Sequence, residues 1–176
     1  MKAQFWSFDV IFAMVIFAFT ITILAYVWYG INSQFSIAYG NGVGNMEAQL
    51  RGLTVKLLST GTPSDWNSAI NVTKTSTWAN VSIGLSSGTG RSLSMQKIAT
   101  LSSMANYNYQ ETKPLLGVGY DYYILIIGSN FVIPIGLNPS ANGAVTVQVE
   151  TEPVIINGNS ATIKIMIWTN SSFGVD

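Results

Sequence analysis

Val10-Ile11-Phe12-Ala13-Met14-Val15-Ile16-Phe17-Ala18-Phe19-Thr20-Ile21-Thr22-Ile23-Leu24-Ala25-Tyr26-Val27-Trp28-Tyr29-Gly30 contains no charged residue. Wound as an α-helix the run is roughly 30 Å long, about the thickness of a bilayer's hydrocarbon core. Apolar residues fall on every face, so such a helix is stable only in lipid or among other apolar helices. Phe5, Trp6 and Phe8 precede it and Tyr26, Trp28 and Tyr29 close it, an arrangement that matches the aromatic belts of spanning helices. Lys2 is the only cation before the run, and the next is Arg51. That asymmetry predicts a cytoplasmic N-terminus with the rest of the chain outside. A cleaved secretory signal fits poorly, because its apolar core is about 7–15 residues long and ends in small residues. This run is longer and ends in aromatics.

The composition of the whole chain narrows what the rest can do. Its 176 residues include 8 basic and 8 acidic side chains, and only 9% are charged against 48% hydrophobic. So few cations exclude an electrostatic nucleic-acid binder, and low charge with high hydrophobicity excludes disorder. Neither Cys nor His is present, which removes thiol nucleophiles, disulfides, Ser-His triads and the usual zinc sites. The carboxylates are scattered along the chain. The glycines of 40–44 and 84–90 lack the spacing and strand-to-helix setting of a phosphate loop. No catalytic, cofactor or metal site is therefore expected, and no enzymatic activity.

Gly40-Asn41-Gly42-Val43-Gly44 reads as a bend, since each helical glycine costs about 1 kcal/mol. It divides the chain into 1–44, the apolar helix and its bend, and 45–176, an external head. A second helix is predicted over Asn45–Leu58, with Met46, Leu50, Leu53 and Leu57 on one face and Glu47 and Arg51 paired on another. Gly61–Trp66 is a turn-rich loop whose Trp66 covers an edge of the head. Alternation predicts a strand over Trp78–Leu85. Helices are expected over Ser92–Met104, capped by a serine, and over Gln110–Leu116 despite Pro114. The continuous apolar run Tyr120–Ile127 reads as a central strand buried on both faces. Val145, Val147 and Val149, then Ile163, Ile165 and Ile167, alternate with polar residues on either side of the turn Asn157-Gly158-Asn159. They predict a closing antiparallel hairpin with a one-sided apolar face, its Glu150 and Glu152 solvent-facing and one of them opposite Lys164. The fold class is α+β, a long hydrophobic N-terminal helix followed by a small head with an antiparallel sheet and packed helices.

Four further positions stand out. Asn71-Val72-Thr73, Asn80-Val81-Ser82 and Asn170-Ser171-Ser172 are N-glycosylation sequons in the predicted external part, whereas Asn138 is excluded by Pro139. Asp9 places a carboxylate at the edge of an apolar helix. Two readings are open: it sits at headgroup level near the positive end of the helix dipole, or it has an ionic partner.

Lys2-Ala3-Gln4, a short aromatic-polar segment, then Asp9 and the long apolar helix resemble the N-terminus of archaeal type IV pilin-like proteins. These carry a class III signal peptide, a basic residue, Gly or Ala, then Gln and a hydrophobic stretch. Later segments are also similar to an archaeal pilin-like group: Leu57-Leu58-Ser59-Thr60 with Pro63 and Trp66, Val81-Ser82-Ile83-Gly84-Leu85, Leu115-Leu116-Gly117 with Tyr120-Asp121-Tyr122-Tyr123, and the hairpin ending in Trp168. The resemblance implies processing around Lys2, Ala3, Gln4 and Phe5. It also implies a type IV pilin-like filament subunit whose helix leaves the membrane, with the help of a pilus assembly machinery, and bundles with copies of itself. Adhesion at the cell surface is the implied use. In the family an acidic side chain at the fifth mature position pairs with a neighbour's N-terminal amine. Here a cut between Ala3 and Gln4 makes Asp9 the sixth residue, and without that cut its partner would be Lys2 or a neighbour's N-terminus. The alternative expectation is a monomeric, single-pass surface protein that binds a partner, or a minor pilin that primes assembly.

Overall fold

A computed structural model describes residues 4–40, 42–88 and 90–171, with side chains described from Asp9 to Trp28 and from Gly44 onward. The chain forms two compact units, Met1–Gly44 and Asn45–Asp176. The first is built by α1 (Gln4–Gly40). A second helix, α2 (Gly42–Leu57), begins within the glycine cluster and supplies the first element of the second unit. Gly42 and Gly44 are therefore helical, which corrects the reading of the whole cluster as a bend.

The second unit contains α3 (Trp66–Ala69), β1 (Ser92–Leu93), α4 (Met95–Tyr107), α5 (Tyr109–Leu116), β2 (Asp121–Ile127), β3 (Val132–Gly136), β4 (Thr146–Ile156) and β5 (Asn159–Thr169). The five strands form one sheet in the order β1-β4-β5-β2-β3. All neighbours are antiparallel except β1 and β4, so the sheet is mixed. The N–H of Asn157 and Gly158 lie in a two-residue connection between paired Ile156 and Asn159, and both residues have positive φ, 52° and 80°. That is the backbone of a tight hairpin turn that matches strand twist, and Asn-Gly suits it.

One face of the sheet carries the core. Met46, Leu50, Leu53 and Leu57 of α2 and Ile98, Leu101 and Met104 of α4 pack with Tyr122, Ile124 and Ile126 of β2 and Ile163, Ile165 and Ile167 of β5. Further bonds fix α2 in place. Gln49 accepts the Gly119 N–H at 2.8 Å, and the Lys56 ammonium donates to the Leu115 carbonyl at 2.6 Å. Ser94 caps α4 by accepting the Lys97 N–H, and Asn108 caps α5. Pro114 is accommodated inside α5, which ends at Gly117 with φ 77°.

Several sequence expectations are corrected here. Residues 78–85 make no strand. Their peptide groups are used by the loop before them: Ser82 pairs with Thr62, and the Leu85 and Ser86 N–H groups donate to Leu57 and Ser59. Trp66 does not cover an edge but is fully buried, its indole N–H donating to the Gly84 carbonyl at 2.7 Å. β2 is covered on one side only, with Tyr122, Ile124 and Ile126 buried and Tyr123 and Leu125 half-exposed. β4 reverses the predicted facing. Glu150 is opposite Ile165 and Glu152 opposite Ile163, on the helix-covered face, while Val147 and Val149 share the outer face with Trp168 and Met166. Lys164 is opposite Thr151, so neither glutamate meets it.

Candidate functional surfaces

The first surface is α1. From Asp9 to Trp28 it is long and apolar enough to cross a membrane, and none of it is buried within the chain. Met14, Val15, Ile16 and Phe17 are all exposed, and four consecutive positions about 100° apart cover the full turn of the helix. Its two threonines are satisfied internally: the Thr20 hydroxyl donates to the Ile16 carbonyl and that of Thr22 to the Ala18 carbonyl, both at 2.8 Å. Between Val10 and Ala25 no described side chain therefore offers an unmet hydrogen bond to an apolar surrounding. A membrane anchor and a signal sequence both have this character.

Asp9 is exposed at the start of that stretch, in the second turn of α1. No ion pair joins it to another described residue. Lys2 and Ala3 lie outside the described residues, as do the side chains of Gln4 and Phe5, so the processing segment and the Lys2–Asp9 pairing have no geometry to report.

The second surface is a groove of about 550 Å³ between α2 and β4. Glu47, Arg51, Arg91, Glu150 and Glu152 give it both signs of charge. Arg51 pairs with Glu47 at 2.7 Å and Arg91 pairs with Glu152. The buried Thr54 hydroxyl donates to Glu150 at 2.6 Å. Arg51 and Arg91 are thus each paired with a glutamate, while Glu150 is held by a hydroxyl and forms no ion pair with a described residue. Among the described residues, no three His, Cys, Asp or Glu side chains gather as a metal site. The sequence reading missed this groove because it assigned β4 by its Val145, Val147 and Val149 stripe. The signal was present: the apolar positions switch from odd to even at Val154 and Ile156, so one continuous strand is apolar on the outer face first and on the inner face after Pro153.

A third cluster is built round the buried Tyr122 and Thr112. The Tyr109 hydroxyl accepts the Tyr122 N–H at 2.8 Å and lies 3.1 Å from Asp121, which is paired with Lys113 at 3.0 Å. The two tyrosine rings stack at 4.9 Å, and the Tyr122 and Thr112 hydroxyls are 2.6 Å apart. Desolvation pushes the Tyr122 hydroxyl up to about 12, opposed in part by its bond to Thr112. It raises Tyr109 further, with the Asp121 charge acting in the same direction.

The sequons are dispersed. Asn71 is exposed in the segment between α3 and β1, where its side-chain oxygen accepts the Thr73 N–H at 3.0 Å and hydroxyl at 2.8 Å. Asn80 is exposed in the same segment, not in a strand, and Asn170 is exposed just after β5. Comparison of the chain with known protein families, characterised proteins and solved structures finds no match.

Proposed function

We propose that this protein is a structural subunit of an archaeal type IV pilus-like filament at the cell surface, used for adhesion, and that α1 is its polymerising element. The reading rests on one observation: from Asp9 to Trp28 the helix is apolar around its whole circumference and exposed throughout. Lipid satisfies that surface before assembly, and copies of the same helix satisfy it afterwards. The pilin-like Lys2-Ala3-Gln4 segment supports the same reading. Asp9, at the edge of the apolar stretch, is the group that sets the axial register by pairing with a cation of a neighbouring copy. The N-terminus is cytoplasmic before assembly, and the three sequons carry glycans on the external unit.

The test is microscopy and mass spectrometry of filaments sheared from the cell surface. The chain is expected to make up their bulk, and Asp9→Ala is expected to reduce their yield or stability. A chain that stays in the detergent fraction as a monomer overturns the filament reading in favour of a membrane-anchored surface protein. Peptide mapping of the N-terminus in the same material reports the processing site.

A further inference from the structure

We propose that the open edge of β4 pairs, antiparallel and centred on Val149, with the same edge of a second copy of this chain. β4 is flanked by β5 along its length but by β1 only at Ile155 and Ile156. The Ile155 N–H donates to the Arg91 carbonyl, so its peptide groups point away from β5. By strand alternation those of Val147, Val149 and Thr151 do the same. Beyond β1 they meet no other strand among the described residues.

The other end of the sheet is protected. The Leu137 N–H donates to Tyr122 and the Gly128 N–H to Phe131, so Val132, Pro134 and Gly136 of β3 are the residues turned outward. Pro134 sits in the middle of that row with no N–H to give, a common way of blunting an edge. On β4 the corresponding proline is Pro153, next to the segment already paired with β1. Residues 146–151 keep every donor. A head-to-tail union of β4 with β3 would lack the central bond, whereas β4 with β4 lacks none.

Charge selects the register. Outward-turned residues must face one another for their N–H and C=O groups to be exchanged. Centring on Val149 sets Val147 against Thr151 of the second copy, uses all three outward residues and forms about six backbone hydrogen bonds. It also sets Glu150 against Gln148 of the second copy. Moving the centre to Glu150 would oppose two like charges, which is destabilising. On the outer face the exposed Val147 and Val149 side chains of the two copies form one apolar strip. On the inner face Val55 of α2, 72% exposed beside the groove, gains cover. The proposal concerns the second unit alone and does not depend on α1 polymerising.

The chain has no cysteine, so introduced thiols are the only ones. In the full-length protein in detergent, Val149→Cys is expected to form a disulfide-linked dimer on mild oxidation, because directly paired Cα atoms lie about 5.5 Å apart. Val147→Cys and Thr151→Cys are each out of register with themselves by ~14 Å and are expected to give at least tenfold less dimer alone. Mixed in equal amounts, they are expected to give about half the dimer of Val149→Cys, because only half of the pairs then join the two different variants. Near-UV circular dichroism checks that each variant is folded. Equal cross-linking of all three single variants, or none by folded Val149→Cys, overturns the proposal. Filament formation is read separately by microscopy, so failure of one claim leaves the other standing.

Discussion

Raising the pH perturbs the second unit at a known place. Tyr122 is fully buried, and its hydroxyl is pushed up to about 12, whereas an unfolded tyrosine titrates near 10. Below pH 10 both states hold the proton, and its contribution to stability is complete. As pH rises above 10 the unfolded chain ionises and the folded one does not, so stability falls until the folded group also titrates. A shift of about two units corresponds to roughly 3 kcal/mol lost between pH 10 and pH 12. Tyr109 is raised as well and adds to the loss. Lys56 and Lys97 act in the opposite sense: desolvation lowers both, so they release a destabilising protonation as pH rises towards their unfolded value of 10.5. The assay is guanidinium unfolding of the detergent-solubilised chain, followed by near-UV circular dichroism at steps from pH 8 to 12, with tyrosinate absorbance recorded in parallel. Tyr122→Phe is expected to cost about 1 kcal/mol at pH 7, for the lost bond to Thr112, and to flatten the alkaline loss. A wild-type stability that is level through pH 12, or an identical alkaline loss in Tyr122→Phe, would refute this account of the cluster.

Three further substitutions test particular contacts by the same unfolding assay. Gly84→Ala places a methyl group against the backbone of Gly61 and Ser59 and is expected to destabilise by about 3 kcal/mol, at the upper end of overpacking costs. Lys97→Met keeps the apolar stem but removes the ammonium that donates to the Thr60 and Ser86 carbonyls, each at 2.8 Å; a loss of about 2 kcal/mol is expected from the orphaned acceptors. Gly158→Ala meets no neighbouring atom but must hold φ 80°, so it should cost about 1 kcal/mol from backbone strain alone.

Helical elements were largely readable from the sequence, and strand facing was not. The stripe Met46, Leu50, Leu53 and Leu57 is the buried face of α2, because a helix keeps one face over its whole length. The Asn157-Gly158 turn was legible because few residues adopt its positive φ angles. The segment at 78–85 alternates like a strand, but the peptide groups of the Leu57–Thr62 loop take its hydrogen bonds. Its alternation reflects packing of Ile83 and Leu85 and not a sheet. β2 is apolar throughout because both faces carry large side chains, yet helices cover only one. In β4 the apolar stripe changes face at Pro153 and Val154, and a local count of alternating valines placed the glutamates on the wrong side. The α2–β4 groove and the open β4 edge follow from that facing and were therefore invisible until the register was known. The apolar character of α1, in contrast, depends on no neighbour and was legible at once.

The central claim is that α1 exchanges lipid for copies of itself. The most direct measurement is a cysteine scan of Val15, Ile16, Phe17 and Ala18, four consecutive positions that circle the helix, in a chain with no other thiol. Each variant is labelled with a lipid-soluble maleimide, once in membranes and once in filaments sheared from the same cells and washed free of lipid with detergent. The account predicts labelling at all four positions in the membrane and protection at all four in the filament, as the helices close round one another. If the four positions remain equally reactive in the sheared material, or if that material does not contain this chain, α1 is an anchor and the filament reading is contradicted.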